Sequence, residues 1–266
     1  MAFLLSYALK TQHPLKASVN ADMTFNTENF IGVFDGVGGV ENQGLRPEDL
    51  SYDMRANVKD LLCRRFRSDA RTFDLDLLQE MGYPAYANTR RTPGQWMHDL
   101  FVVATLKTQS LGSTTMIAAS LNHGKLAYFN LGDCFLRVYR PLYNSGGLSV
   151  IHMSRELGTV VRDAHGLETR VPHQLAIYDN GARGISAHNL VGKGEWGVVK
   201  VQTGDIVVMG SDGVSDNVDA LTLRQLVSQH FSNGADPKLI AQALVGEALR
   251  ANKKPDDTSI VVAFVQ

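Results

Sequence analysis

The chain has 266 residues, with 26 Lys and Arg against 27 Asp and Glu and a formal net charge of −1. That balance argues against a nucleic-acid binder driven by a basic surface and leaves open only a local patch. A content of 44% hydrophobic and 20% charged residues is that of an ordinary globular protein, able to bury about 70–75% of its unfolded surface without staples.

Residues 3–9 (FLLSYAL) are apolar and β-compatible, and no basic stretch precedes them, so they read as a first strand rather than a signal. No apolar run reaches the length of a transmembrane helix. His13-Pro14 marks a turn, and 19–25 is a further strand carrying Asp22. Residues 30–39 (FIGVFDGVGG) form an apolar run that stops at Asp35, with Gly36, Gly38 and Gly39 following. Glycines permit the positive φ of tight turns. The pattern places a carboxylate at a sheet edge beside backbone stripped of side chains, a setting that suits a metal ion and a closely approaching phosphate.

Pro47-Glu48-Asp49 opens a helix, with apolar residues at helical spacing through Tyr52, Ala56, Leu61, Leu62 and Phe66, and Arg64, Arg65 and Arg67 close it. Residues 75–81 read as a short helix, 82–93 as a loop basic at Arg90-Arg91, and 95–107 as a helix with Trp96, Leu100, Val103 and Leu106 on one face. From Ser113 the period changes to that of strands. Residues 113–121, 125–131 and 134–139 read as an antiparallel meander, with Asn122-His123-Gly124 and Gly132-Asp133 as its turns. Residues 148–153 are a further strand, and 154–200 read as a long irregular segment, functional or mobile. Thr203-Gly204-Asp205 is a turn into the strand 206–209, 219–231 and 237–251 are helices, and 259–264 is a last strand. No linker, repeat or low-complexity tract divides the chain, so 1–266 reads as one domain.

The apolar run 206–210 ends on Ser211-Asp212-Gly213 as the earlier one ends on Asp35-Gly36, and Asp256-Asp257 precedes the final strand. Hard cations such as Mg²⁺ and Mn²⁺ take oxygen ligands and keep several waters, so a few carboxylates suffice. Asp35, the Gly36 carbonyl, Asp212 and Asp256 are the candidate ligands, with Asp133 at the Gly132 turn nearby. Each has a plainer reading. A lone Asp-Gly is more often a turn than a ligand, Asp133 alone is a hairpin residue, Asp205 a turn, and Asp216-Asn217 a cap for the next helix. Other chemistries lack their spacing: there is no P-loop, dinucleotide fingerprint, G-x-S-x-G elbow or His/Cys zinc pattern. Cys63 and Cys134 stand in no CxxC spacing, which argues for a reducing compartment and reads Cys134 as a buried structural thiol.

Five motifs follow one another in this order: Asp35-Gly36-Val37-Gly38-Gly39, Gly112-Ser113-Thr114, Asn130-Leu131-Gly132-Asp133-Cys134, Ser211-Asp212-Gly213-Val214-Ser215-Asp216-Asn217 and Asp256-Asp257-Thr258-Ser259-Ile260. Together they resemble the metal-dependent serine/threonine phosphatases of the protein phosphatase 2C family. Within it they are most similar to the D-G-V-G-G branch typified by a mitochondrial matrix phosphatase, which also carries P-x-Q-L, here Pro172-His173-Gln174-Leu175.

The resemblance implies an α+β fold, a four-layer α-β-β-α sandwich of two central, mainly antiparallel sheets between helix pairs. It implies two Mg²⁺ or Mn²⁺ ions bridged by Asp35, with Gly36, Asp212 and Asp256 completing the ligands, Asp22 acting through metal-bound water, and Asp133 beside a possible third ion. Hydrolysis of phosphoserine and phosphothreonine in proteins would use a metal-bridging water or hydroxide, without a phosphoenzyme, and with Asp35 and Asp212 as catalytic residues. A phosphoprotein substrate, a monomer, no nucleic acid, no membrane, and a cytoplasmic or mitochondrial location complete the expectation, and 154–200 falls where the family has a variable flap.

Three positions depart from the family pattern. Ala21 stands where the early motif has Glu. Val37 stands where many members have a proposed histidine general acid, so water or another acid must protonate the leaving alkoxide. The phosphate-binding Arg has no clean counterpart, Lys16 lying nearby but out of register. These departures keep open a catalytically silent interaction protein on the same fold, and hydrolysis of a small phosphorylated metabolite is a third reading.

Overall fold

The computed structural model describes residues 2–15, 19–65, 93–142, 147–163, 165–178 and 193–266. Lys16, the helix expected at 75–81 and the Arg90-Arg91 loop lie outside them.

Two sheets stack face to face. The first runs in the order β1 (Leu4–Thr11), β13 (Thr258–Val265), β12 (Ile206–Gly210), β6 (Phe135–Leu142), β7 (Gly147–Met153). The second runs β11 (Glu195–Lys200), β5 (Lys125–Leu131), β4 (Gly112–Asn122), β3 (Phe30–Gly36), β2 (Met23–Asn26), with β10 (Leu175–Ile177) on β4. All their pairings are antiparallel. Helices α1 (Pro47–Arg65) and α2 (Pro93–Lys107) cover the second sheet. A single turn, α3 (Asp212–Ser215), follows β12, and α4 (Ala220–Ser232) and α5 (Pro237–Ala251) cover the first sheet. This is the expected four-layer α+β sandwich.

Strand alternation builds three apolar layers from two sheets. Val33, Ile117, Leu136, Val138, Val207, Met209 and Val261 meet between the sheets. Their neighbours in sequence face the helices: Phe34, Met116 and Phe129 pack on Met54, Val58 and Phe101. On the opposite side Phe135, Val208 and Val262 pack on Leu223, Val227, Ile240 and Leu244. The Phe101 and Phe129 rings stack at 4.8 Å between centroids. Each fully buried side chain of this kind contributes about 1.5–3 kcal/mol against the entropy of ordering it.

The termini of the helices follow local chemistry. Asp236 caps α5 by accepting the Leu239 N–H at 2.9 Å, Pro237 occupies its first turn, and Asn252 ends it at φ 44°. The cap of α4 is Asp219, whose Oδ1 accepts the N–H groups of Leu221 and Thr222, both at 2.9 Å. Asp216 and Asn217, expected to cap it, are engaged elsewhere.

Three other expectations are corrected. The strands β4, β5 and β6 do not form a meander, because β6 pairs with β12 and β7 in the other sheet. Gly132, at φ 99°, turns the chain out of the plane of β5, and a Cβ there would lie 2.6 Å from the Thr115 side chain. Asp133 therefore stands at a crossing between sheets, not in a hairpin. The 154–200 segment is not irregular throughout: it contains β10, β11 and a hairpin of β8 (Gly158–Arg162) and β9 (Glu168–Pro172). Almost every residue of that hairpin is exposed, so no buried face imposes an alternating pattern on its sequence. Finally, the glycine turn after Asp35 continues as a 3₁₀ helix over Gly38–Gln43.

Asp205 does follow a turn, but it is also fully buried, and Arg140 grips it with two bonds of 2.8 Å from Nε and Nη2. Among the described residues no helix is long and apolar enough to cross a membrane.

Candidate active site

Strand register brings the acidic residues together at one end of the two sheets. Met23 pairs with Phe34, so the next positions outward set Asp22 beside Asp35. Asp35 pairs with Thr115, and Gly36 with Thr114, whose Oγ1 donates to the Asp35 carbonyl at 2.8 Å. Met116 pairs with Leu131, which carries Asp133 to the same edge. From the facing sheet, β12 ends at Gly210 and delivers Asp212, while Asp256 precedes β13. Asp35, Gly36, Thr115, Asp133, Asp212 and Asp256 all line one cleft of about 530 Å³. Lys16, the proposed phosphate contact, lies outside the described residues.

Two glycines allow this convergence. A Cβ on Gly36 would meet the Pro47 carbonyl at 2.5 Å and the Ala21 carbonyl at 2.7 Å, so α1 and the Asp22 loop close directly on the β3 backbone. A Cβ on Gly213 would lie 1.9 Å from the Asp257 carbonyl, which is how closely α3 approaches the start of β13. Ala21, where the motif has Glu, is buried in this contact.

The carboxylates sit where charge is unfavourable. Burial pushes Asp22 up to about 7, although the side chains of Asp35, Ser259 and Ser211 face it and partly offset the effect. Its Oδ2 is buried with no hydrogen-bond partner among the described residues. Burial and then the nearby charges of Asp22 and Asp212 hold Asp35 well above the usual carboxylate range. Burial, with Asp212 adding repulsion, raises Asp133 to about 6, and burial also raises Asp212 despite its bond to Lys254. Four acids of raised pKa at one edge form a site short of positive charge.

The donor set is all oxygen and fits hard divalent cations such as Mg²⁺ or Mn²⁺. The orphaned Asp22 Oδ2 and the mutual repulsion at Asp35 are what such a charge would relieve. Yet among the described residues no three acidic, histidine or cysteine side chains converge as a ready ligand cage. Asp212 is instead turned to Lys254, whose Nζ donates to it at 2.8 Å and to Asp216 at 2.7 Å.

Several residues at this edge were given no site role in the sequence reading, although Asp216 and Asp257 stand within its motifs. Lys254, Asp216, Arg170 and Glu156 also line the cleft, and Arg170 donates to the Glu156 carbonyl at 2.6 Å. Asp257 is buried and accepts the N–H groups of His13 at 3.3 Å and Ala21 at 3.2 Å, which ties the Asp22 loop to β13. The Asp256-Asp257 pair was a signal for that clamp. Nothing in the sequence around Lys254 or Arg170 marked either cation. Cys134 is buried with its sulfur 3.3 Å from Thr115 Oγ1, and burial pushes its thiol well up, as a structural thiol requires.

Two antiparallel sheets between helix pairs, with acidic strand ends meeting at one edge, make the fold of the protein phosphatase 2C phosphatases. Comparison with known proteins agrees. The chain is 29% identical over 212 residues to the 5-azacytidine resistance protein azr1 of Schizosaccharomyces pombe, covering 78% of this chain and 58% of that one. It is 25% identical over 235 residues to probable protein phosphatase 2C 26 of Arabidopsis thaliana, covering 86% and 63%. The chain thus spans about three fifths of the length of these curated relatives. Its fold matches the photosystem II phosphatase PBCP with a TM-score of 0.67 at 21% identity over 99% of both chains. It also matches the catalytic domain of the serine/threonine phosphatase PstP, solved with two manganese ions, with a TM-score of 0.59 at 19% identity over 100% and 99% of the chains. No protein-family model matches the chain.

Proposed function

We propose that this protein is a metal-dependent phosphatase that hydrolyses phosphoserine and phosphothreonine in proteins. The observation that carries the reading is the Asp22–Asp35 pair, Asp35 lining the cleft and Asp22 buried beside it outside the lining, with an unpartnered Asp22 Oδ2 and repulsion at Asp35 from Asp22, Asp212 and Asp133. The two manganese ions of the related PstP fold support the same reading. Asp35, the Gly36 carbonyl, Asp212 and Asp256 would hold Mg²⁺ or Mn²⁺, Asp22 would act from behind Asp35, and Asp133 would stand beside an outer position. Bound divalent ions would lower the pKa of water and neutralise charge developing on the phosphoryl group.

The chain's own residues do the rest. Asp35 is fixed by the β3–β4 ladder and Asp22 by the Asp257 clamp, so the acids are positioned before any ligand arrives. Gly38, with nothing within 4 Å of its missing Cβ, leaves open space at the cleft, where a phosphate would approach the backbone directly. Val37, also lining the cleft, has no proton to give, so leaving-group protonation falls to water or another acid.

A phosphothreonine peptide assay with Mn²⁺ tests the reading. Turnover is expected to vanish with EDTA, and Asp35→Asn or Asp212→Asn is expected to cost at least about a hundredfold in kcat/KM. Chelator-resistant hydrolysis by pure protein would refute it, and faster turnover of sugar phosphates than of peptides would move the substrate class to metabolites. The Lys254–Asp212 ion pair favours a second reading, a metal-poor interaction protein on this fold. Absence of Mn²⁺ binding at millimolar concentration would select it.

A further inference from the structure

Lys254 lies on the loop between α5 and β13, and its position is built rather than incidental. The buried Asn217 accepts the backbone N–H groups of Lys253 at 2.7 Å and Lys254 at 3.0 Å, and returns a bond from Nδ2 to the Lys254 carbonyl at 2.9 Å. Pro255 then confines the Lys254 backbone to extended conformations. Asp212 and Asp216 begin and follow the single turn α3, four residues apart, so their carboxylates share one face. Both meet the same ammonium, at 2.8 and 2.7 Å.

We propose that Lys254 is a tethered cation that holds the Asp212–Asp216 end of the cleft in place of a divalent ion. The inference rests on the metal-dependent reading given above. A lysine ammonium is a compact point charge, and the carboxylate oxygens it holds are those a hard cation would need. The ammonium meets one oxygen, Oδ2, of each carboxylate, and a divalent ion drawn to the same pair would sit against its positive charge. Loading the outer end is therefore opposed until Lys254 swings out, which its flexible stem and half-exposed side chain permit. No described cation holds the carboxylates of the inner acids, Asp22 and Asp35, in this way: Arg170 is engaged with Glu156, and Lys10, beside Asp22, donates to its backbone carbonyl at 3.2 Å and not to its side chain. The inner acids take metal first, and the outer end fills last.

Calorimetric titration of the full chain with MnCl₂ tests this, comparing wild type with Lys254→Met and Lys254→Gln. Thermal melting in chelator identifies which variants are folded, and either neutral variant carries the test. The expected result is one further Mn²⁺ equivalent, or a weakest step tightened by about tenfold, with the first step unchanged. Adding Asp216→Asn to Lys254→Met should remove the gain. Unchanged or weakened Mn²⁺ binding in both neutral variants overturns the proposal, even where the variants raise KM for a phosphopeptide. Wild type that binds Mn²⁺ with no gain in the variants overturns this proposal alone. A chain that binds no Mn²⁺ in any form overturns the metal-dependent reading with it. A gain in Mn²⁺ binding without phosphopeptide hydrolysis supports Lys254 as the tethered cation while the phosphatase reading fails.

Discussion

Asp22 and Asp35 are held by the fold in positions that water would not choose for a carboxylate. Burial raises Asp22 from its ordinary 3.8 to about 7 and Asp133 to about 6, and raises Asp35 as well. In the metal-free protein the folded state therefore binds more protons than the unfolded chain between about pH 4 and 7. Stability contributed by these groups is full below pH 4 and is lost as pH rises through the folded values. Asp219, lowered by its capping bonds, acts only below that window. His152, lowered by burial, opposes the trend near its ordinary 6.5, but one imidazole stands against four raised carboxyls, Asp212 being the fourth. In EDTA, urea unfolding is expected to give a stability about 2 kcal/mol higher at pH 5 than at pH 7.5. A midpoint that rises between those pH values would contradict the electrostatics described here.

Contact between elements rests on glycine in one place and is indifferent to it in another. Gly213 touches the Asp257 backbone, and Asp257 in turn holds His13 and Ala21, so a methyl group at 213 has no flexible neighbour to displace. Gly213→Ala is expected to destabilise by about 3 kcal/mol and to loosen the whole Asp22 loop. Gly246, inside α5, has nothing within 4 Å of its missing Cβ. Gly246→Ala is expected to stabilise by about 0.5–1 kcal/mol through helix propensity. Denaturant midpoints of the two variants measure the contrast directly. Each is a small residue in the sequence, and only the packing distinguishes them.

Across the whole molecule, the candidate ligands divide between the sheets. Asp22 and Asp35 come from the second sheet, Asp212 and Asp256 from the first, and Asp133 from the crossing between them. A cation bound among them ties the two halves of the sandwich together. Mn²⁺ at about 100 times its Kd is therefore expected to add about 2.7 kcal/mol and to raise Tm by about 5 °C or more. Differential scanning calorimetry with and without chelator checks this, and an unchanged Tm would argue against bound metal at this edge.

Most elements were legible because their signal is local. Strand β3 announces itself by a buried apolar run, α5 by Asp236-Pro237 and a helical stripe, and Asp35-Gly36 by the break in hydropathy where the strand leaves the core. The motif order proposes one site for Asp22, Asp133, Asp212 and Asp256; strand register sets Asp22 beside Asp35, and Asp133, Asp212 and Asp256 line one cleft with Asp35. Which sheet β6 joins was not legible, since its burial on both faces is the same in either sheet and only the turn at Gly132 decides. The β8–β9 hairpin was missed because it buries no face. Lys254, Arg170 and the Asp257 clamp were missed for a related reason. Their meaning depends on partners 14 to 244 positions away. Spacing along the chain encodes which residues leave the core and in what order. Only the closed sandwich decides which of them then lie within a hydrogen bond's length of one another.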